Sequence, residues 1–247
     1  MASRPASPYP LARWIAHRGG GALAPENTLA GFRLAARLGF RAVEFDVMLA
    51  ADGVPVVMHD ESLRRTTGHP GCVPDFSADA LTQLDAGTPF HKAFAGEPVP
   101  RFETLIALCA ECKLSANVEI KPAKGAEART GEAVAAMLRA QWPAELPVLL
   151  SSFSETALEA AAAVAPDIPR ACLFETIPED WSVRLKQHGA VALHCHHTQL
   201  FSPLGQAVVA AGIPVAVYTV NDAATSDRCW QAGASALFTD RLDLFRP

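Results

Sequence analysis

Two carboxylates and an imidazole are predicted to meet on one β-hairpin of this sequence. Glu44 and Asp46 are two residues apart, so in a strand their side chains point to the same face. Asp52-Gly53 lies between two runs of β-branched residues, a pattern typical of a two-residue hairpin turn. A turn centred on these two residues sets His59 directly opposite Asp46. Carboxylates and a histidine brought together in this way can bind a cation and transfer protons.

Further polar residues lie where other predicted strands end. His17 and Arg18 close the first strand, and Glu119 and Lys121 share one face at the end of a later one. Functional residues of a closed α/β barrel cluster at the carboxyl ends of its strands, so we expect all of these residues to form one site. The complete candidate set is His17, Arg18, Glu44, Asp46, His59, Glu119 and Lys121.

The composition of this set predicts its chemistry. Three converging carboxylates repel one another, and a cation would relieve that repulsion. Oxygen ligands without a Cys or multi-His set favour one divalent cation, Mg²⁺ or Ca²⁺, over structural zinc. Arg and Lys beside such an ion suit a phosphate group. Two histidines can then remove a proton from the attacking oxygen and protonate the leaving alkoxide. The set therefore predicts phosphodiester cleavage.

The elements that would position these residues alternate between strand and helix. Strands are predicted at 13–17, 42–48, 115–120, 147–152, 170–174, 190–195, 214–220 and 235–239. Helices are predicted at 29–38, 104–112, 130–141, 155–164, 180–188, 203–211 and 222–232. Such repeated β-α units predict a closed (β/α)8 TIM barrel. Residues 54–59 then form the return arm of a β-hairpin after strand two, and are not a ninth barrel strand.

Residues 60–101 interrupt the alternation. They show little periodicity and contain several Gly and Pro residues, so we expect a loop-rich insertion at the rim of the barrel. No linker or change of composition divides the chain, and residues 1–247 are expected to form a single domain.

The bulk composition argues against several classes of protein. The chain has 247 residues, half of them apolar, and a net charge of −5. No basic run exceeds two residues, which argues against nucleic-acid binding. The longest apolar stretch, 207–220, is too short to span a bilayer, and the first residues, MASRPASPYPLAR, lack the apolar core of a signal peptide. With six scattered cysteines, we expect a cytoplasmic protein that acts on a small molecule without membrane insertion. Its oligomeric state is left open.

Several strings in the sequence resemble the glycerophosphodiester phosphodiesterases. They are AHRGGGALAPENTLAGF (16–32), VEFDVMLAADGVPVVMHD (43–60), NVEIKP (117–122), LSSF (150–153), VYTVN (217–221) and FTD (238–240). They follow in order along essentially the whole chain, and they look most like the short cytosolic bacterial enzymes linked to glycerol-3-phosphate uptake. The resemblance implies a (β/α)8 barrel that hydrolyses glycerophosphodiesters, such as glycerophosphocholine and glycerophosphoethanolamine, to sn-glycerol 3-phosphate and an alcohol.

The same resemblance implies a role for each candidate residue. It places metal ligation on Glu44, Asp46 and Glu119, acid/base catalysis on His17 and His59, and phosphate contacts on Arg18 and Lys121. It also implies that a glycerol hydroxyl attacks first and gives a cyclic phosphate. It does not decide between Mg²⁺ and Ca²⁺, or which histidine is the base.

Two segments depart from the pattern of that family. Many relatives carry Trp where this chain has Tyr218, a difference expected to alter the wall of the pocket. His194, His196 and His197 make one segment unusually rich in histidine. Because neighbouring strand residues alternate faces, we expect only one or two of them to line the pocket.

Two alternative functions compete with hydrolysis. Gly19-x-Gly21-x-x-Ala24 lies between a strand and a helix, and Glu44 follows 20 residues later, as in dinucleotide-binding folds. An NAD-dependent oxidoreductase, however, would need a crossover after strand two where this chain has a hairpin. It would also leave His17 and Glu119 without a role. A non-catalytic barrel that only binds a ligand is the other alternative, and the presence of every ligand, acid and base position argues against it.

Overall fold

Eight parallel strands close into a barrel in this computed structural model, which describes residues 9–245 and 247. The strands are β1 (Trp14–Ala16), β2 (Ala42–Leu49), β3 (Pro55–Val57), β4 (Ser115–Ile120), β5 (Val148–Ser152), β6 (Arg170–Phe174), β7 (Ala192–His196), β8 (Val215–Tyr218) and β9 (Ala236–Thr239). Strand β1 pairs in parallel with both β2 and β9, which closes the barrel, and β3 is an antiparallel addition to β2. The prediction of a (β/α)8 barrel is confirmed.

Seven of the described helices lie between the barrel strands, close to where the sequence predicts them, and two short ones lie in the insertion, where none was predicted. They are α1 (Leu29–Arg37), α2 (Arg64–Thr67), α3 (Ala78–Leu81), α4 (Phe102–Cys112), α5 (Glu127–Gln141), α6 (Glu155–Val164), α7 (Trp181–Gln187), α8 (Pro203–Ala210) and α9 (Ala223–Ala232). Helix α5 begins three residues before its predicted start. Ala126 at its N-terminus provides no side-chain cap, so the sequence contains no signal for this start. No helix in the described part of the chain is long and apolar enough to cross a membrane. The prediction that the N-terminus carries no signal peptide concerns residues 1–13. Of these, residues 1–8 lie outside the described residues.

Strand β2 carries two of the candidate residues, and both of its faces are buried. The ring of Phe45 packs against Phe32 and Phe102, with ring centroids 5.5 and 5.8 Å apart. Successive residues of a strand point to opposite faces, so Glu44 and Asp46 point away from this aromatic cluster and line the central pocket. Packing on one face of β2 therefore fixes the position of the carboxylates on the other.

The predicted β2–β3 hairpin is present, but the predicted register is wrong by one residue. The Met58 amide donates to the Asp46 carbonyl at 3.0 Å, so Met58, and not His59, is opposite Asp46. The turn contains the three residues 51–53, because Gly53 adopts a left-handed conformation with φ +78°. His59 consequently follows the last paired residue and enters the pocket from the end of the return arm.

The insertion at residues 60–101 is more ordered than the sequence suggests. It contains α2 and α3, and its apolar side chains form a small core against β2 and β3 that includes Leu63, Val73 and Leu81. Each helix has only four residues, too few to show a helical period in the sequence. This small core supports the segment that begins with His59.

We predict that Phe45→Ala lowers the free energy of unfolding by about 3–5 kcal/mol, because it leaves a cavity in the cluster behind the carboxylates. Urea denaturation followed by circular dichroism measures this. Val183→Ala is the control, since Val183 is 63% exposed on α7 and should cost less than about 1 kcal/mol. Equal effects of the two substitutions would contradict the packing role of Phe45.

Candidate active site

One pocket at the carboxyl ends of the barrel strands contains all the predicted site residues. It has a volume of about 190 Å³. The first half of the barrel supplies the predicted residues His17, Arg18, Glu44, Asp46, His59, Glu119 and Lys121. The second half supplies mostly apolar and aromatic walls, including Phe153, Leu173 and Phe238. The structure therefore brings the whole candidate set together, as the sequence predicts.

Three buried carboxylates form the floor of the site. Glu44, Asp46 and Glu119 each present an oxygen within 4.8 Å of the others. Strands β2 and β4 run in parallel with Asp46 directly beside Glu119, which explains the close approach. Burial, reinforced by the charge of Asp46, raises the pKa of Glu44 to about 7 and that of Glu119 to about 8.

This donor set fits a hard divalent cation. Carboxylate oxygens are ligands of Mg²⁺ and Ca²⁺, and a divalent cation would offset the burial and the mutual repulsion that raise the pKa values of Glu44 and Glu119. The triad could hold one such ion, and its donor atoms do not distinguish between the two metals.

Two cationic side chains border the carboxylates. Lys121 Nζ lies 3.4 Å from both Asp46 Oδ1 and Glu119 Oε1. Arg18 Nε lies 3.9 Å from Asp46 Oδ2, and the Arg18 backbone amide donates to Glu44 Oε2 at 2.9 Å. Although burial opposes it, Lys121, His59 and Arg18 together hold the pKa of Asp46 below its usual range. Asp46 is thus the most firmly ionised member of the triad.

Each candidate histidine is held by a carboxylate. His17 Nδ1 donates to Asp240 Oδ1 at 2.7 Å, and His59 Nδ1 donates to Asp60 Oδ1 at 2.6 Å. A carboxylate at Nδ1 fixes the ring orientation and the tautomer, so Nε2 is the nitrogen that can transfer a proton. In His17 this nitrogen also lies 3.8 Å from Glu44 Oε2. Both rings line the pocket, so each presents Nε2 where a substrate could be protonated or deprotonated.

The two histidines differ in their electrostatic surroundings. For His17, burial lowers the pKa, but the hydrogen bond to Asp240 and the charge of Glu44 more than offset this and raise it overall. For His59, burial outweighs the nearby carboxylates, and its pKa falls below the usual value. The site therefore offers two imidazoles of unequal basicity.

Asn27 is a site residue that sequence reasoning missed. It has φ +56°, its backbone amide donates to the Arg18 carbonyl at 2.9 Å, and its side-chain Nδ2 donates to Asp46 Oδ2 at 3.0 Å. The loop before α1 thus orients one of the three carboxylates. Asn27 belongs to the string at 16–32, but nothing in the sequence indicates which carboxylate it contacts.

A chain of ion pairs that sequence reasoning also missed connects His59 to Arg18. Arg65 Nε donates to Asp60 Oδ2 at 2.6 Å, and both of its terminal nitrogens donate to Glu26, at 2.6 and 2.8 Å. Glu26 also accepts from Arg18 at 3.2 Å. Hydrogen bonding from Arg65 is the main reason that the pKa of Asp60 lies well below its ordinary value. Arg65, on helix α2 of the insertion, therefore links the partner of His59, Asp60, to the partner of Arg18, Glu26.

Of the three histidines near the end of β7, His194 alone lines the reaction pocket. It is buried, its Nε2 is 2.9 Å from the Tyr9 hydroxyl, and burial lowers its pKa to about 3. A histidine in these surroundings stays neutral and acts as part of the wall. The expectation that one or two of these histidines reach the pocket holds, and His196 and His197 lie outside it.

The glycine-rich loop after β1 packs closely against the protein itself. A Cβ on Gly21 would overlap the backbone of Asp240, and one on Gly20 would overlap Ala24 and crowd Gly31. The glycines are therefore needed for the close approach of the loop to the end of β9 and to α1. Glu44, the residue that would bind a ribose in a dinucleotide site, belongs instead to the carboxylate triad. The structure therefore does not favour the dinucleotide-binding alternative.

A closed barrel with carboxylates, histidines and cationic side chains at one mouth defines a hydrolase of phosphoric diesters. Comparison with known proteins agrees. Residues 17–244 match the sequence model of the glycerophosphoryl diester phosphodiesterase family. A glycerophosphodiester phosphodiesterase of Caldanaerobacter subterraneus subsp. tengcongensis is 32% identical over 92% of this chain and 93% of its own length. This chain belongs to the glycerophosphodiester phosphodiesterase family.

Solved structures show the same fold. An Oleispira antarctica phosphodiesterase, determined in complex with the product sn-glycerol-3-phosphate, superposes with a TM-score of 0.90 at 37% identity, covering 93% of each chain. A glycerophosphodiester phosphodiesterase from Agrobacterium tumefaciens superposes with a TM-score of 0.80 at 29% identity, covering 96% of this chain and 99% of the other.

We predict that Arg65→Met lowers kcat by about ten- to hundred-fold with a smaller change in KM, because Asp60 loses the partner that holds it against His59. Arg65→Lys should recover part of the loss, since it restores the charge without the forked geometry. Steady-state hydrolysis of a glycerophosphodiester, together with a melting curve of each variant, measures both effects.

Arg64→Met is the matched control for this prediction, because Arg64 is the adjacent residue of α2 and is exposed. If Arg65→Met and Arg64→Met have the same kcat, the ion-pair chain does not support the site.

Proposed function

We propose that this protein hydrolyses glycerophosphodiesters, such as glycerophosphocholine and glycerophosphoethanolamine, to sn-glycerol 3-phosphate and an alcohol, using one divalent cation and two histidines. The observation that carries this proposal is the pairing of a buried carboxylate triad with two carboxylate-held imidazoles in one pocket. The Oleispira phosphodiesterase in complex with sn-glycerol-3-phosphate supports the choice of product.

The proposed metal ligands are Glu44, Asp46 and Glu119. Their oxygens lie within 4.8 Å of one another, a spacing at which a single ion could contact all three. When bound, Mg²⁺ or Ca²⁺ would offset the negative charge on the non-bridging oxygens of the phosphate.

The side chains of the protein supply positioning and proton transfer. Arg18 and Lys121 donate to the phosphate oxygens, which places the phosphorus between the two rings. Either His17 or His59 removes the proton from the attacking oxygen at Nε2, and the other protonates the departing alkoxide. Attack by the neighbouring glycerol hydroxyl, followed by hydrolysis of the cyclic phosphate, is the order of steps that the family resemblance suggests.

We further propose that residues 1–247 form one domain that acts in the cytoplasm. All nine strands of the described residues belong to one continuous sheet, which supports a single folding unit. The six cysteines are free thiols, as expected in a reducing compartment.

Removal of divalent cations should abolish hydrolysis. We expect that enzyme treated with EDTA and then desalted loses its turnover of glycerophosphocholine and regains it with added Mg²⁺ or Ca²⁺. Wild-type enzyme should also melt at a higher temperature with the ion than without it, and Asp46→Asn should lose this shift because it removes one charge from the triad. Undiminished hydrolysis after complete chelation would refute the metal proposal.

Substitution of His59 should separate chemistry from folding. We expect His59→Ala to lower kcat by about 10²–10⁴-fold with an unchanged circular dichroism spectrum, because the pocket loses one of its two proton-transfer groups. His91→Ala, at an exposed position of the insertion, is the control and should keep the wild-type rate. A near-normal kcat for His59→Ala would remove this residue from the mechanism.

A further inference from the structure

A second pocket adjoins the reaction pocket on the side of the barrel that carries no proposed catalytic residue. It has a volume of about 410 Å³ and is a separate space at the surface. Phe153, after β5, and Tyr218, at the end of β8, line both pockets and so form the wall between them. A group bonded to a phosphate in the first pocket could therefore extend past these two rings into the second.

Three rings line the second pocket at steep angles to one another. The centroids of Phe153 and Tyr218 are 6.3 Å apart with an interplanar angle of 81°, and those of His196 and Tyr218 are 6.1 Å apart at 79°. The Tyr218 hydroxyl donates to the Phe174 carbonyl at 3.2 Å, which fixes the central ring. Phe153 is 50% exposed, an unusual position for a large apolar side chain beside a polar site. Such an arrangement is suited to enclosing a ligand.

One carboxylate also lines this pocket. Glu175 is exposed on the loop after β6 and makes no hydrogen bond or ion pair with any residue that the structure describes. Glu175 and the central ring of Tyr218 line the same pocket. Among the described residues, no lysine or arginine lines the pocket.

The two adjoining pockets carry different charged groups. The reaction pocket holds Arg18 and Lys121 beside the carboxylate triad, where a phosphate is expected together with a cation, and the neighbouring pocket holds Glu175 among aromatic rings. A ligand that matches both would carry an anionic phosphate at one end and a cation at the other. Aromatic faces attract ammonium groups, quaternary ones included, and a carboxylate adds a direct charge interaction.

We propose that Phe153, Glu175, His196 and Tyr218 form a headgroup pocket that binds the ammonium group of a zwitterionic glycerophosphodiester. Choline and ethanolamine esters share this chemistry. The proposal rests on the proposed function, because the headgroup pocket selects among substrates only if their phosphate occupies the reaction pocket. It assigns substrate selection to side chains that take no part in the proton transfers.

The test is a ratio of kcat/KM values for a cationic and an uncharged headgroup, glycerophosphocholine against glycerophosphoglycerol. We expect wild-type enzyme to prefer the choline ester. Glu175→Gln should lower the ratio by about three- to five-fold, the range expected for loss of an exposed charge pair, and Glu175→Lys should lower it further. Phe153→Leu should also lower it, because an apolar side chain remains but the aromatic face is lost.

Glu179→Gln is the matched control, since Glu179 is an exposed residue on the same loop but lies outside both pockets. A second measurement uses choline chloride as an inhibitor against sodium chloride at equal ionic strength. Inhibition specific to choline should be present in the wild type and weaker in Glu175→Gln. Glycerophosphoethanolamine, tested alongside, shows whether a primary ammonium gains as much from Glu175 as a quaternary one.

The outcomes separate this proposal from the one on which it rests. If wild-type enzyme hydrolyses both diesters and Glu175→Gln leaves their ratio unchanged, the headgroup pocket is wrong and the proposed function stands. If it hydrolyses neither diester in the presence of Mg²⁺ or Ca²⁺, both proposals fail. A fall in the ratio with Glu175→Gln and Phe153→Leu, but not with Glu179→Gln, supports the headgroup pocket.

Discussion

The mutual repulsion of three buried carboxylates is the constraint around which this barrel is organised. Parallel pairing of β2 with β4 puts Asp46 beside Glu119, and the alternation of β2 adds Glu44 on the same side. Neither strand could keep these acids together without positive charge and hydrogen-bond donors nearby. The Arg18 amide, Asn27 and Lys121 supply part of this charge and hydrogen bonding, while burial and the charge of Asp46 still raise the pKa values of Glu44 and Glu119. A bound cation would complete the balance.

The segments that surround the triad are tied to one another as well as to the barrel. Arg65 joins the insertion to the first loop through Glu26, and Asp60 joins the same arginine to His59. Because Glu26 also contacts Arg18, a displacement of the insertion would disturb both Arg18, the proposed phosphate contact, and His59, a proposed proton-transfer group. The insertion thus has a mechanical function, and its small apolar core supplies the rigidity that this function requires.

Sequence reasoning reached the parts of this arrangement that depend on local order. Strand ends, helix bounds and the convergence of seven polar residues follow from periodicity, from capping signals and from the rule that barrels gather functional residues at one mouth. The register of the hairpin did not follow, because the left-handed conformation of Gly53 lengthens the turn by one residue. The partner of His17 did not follow either, since Asp240 is 223 residues away and only closure of the barrel brings it near.

The two halves of the barrel contribute different kinds of side chain to the pockets. Strands β1 to β4 end in the charged groups proposed to bind metal and phosphate and to transfer protons, whereas β5 to β8 end in aromatic and uncharged side chains and one free carboxylate. Each half is held by its own contacts, with Tyr218 fixed through Phe174 and the charged residues fixed through Asn27, Asp60 and Asp240. Under the proposed headgroup pocket, substitutions on the second half are expected to change which alcohol is accepted while the geometry of the carboxylate triad stays the same. Tyr218 belongs to this second half and lines both pockets, whereas the residues proposed as acids and bases belong to the first half.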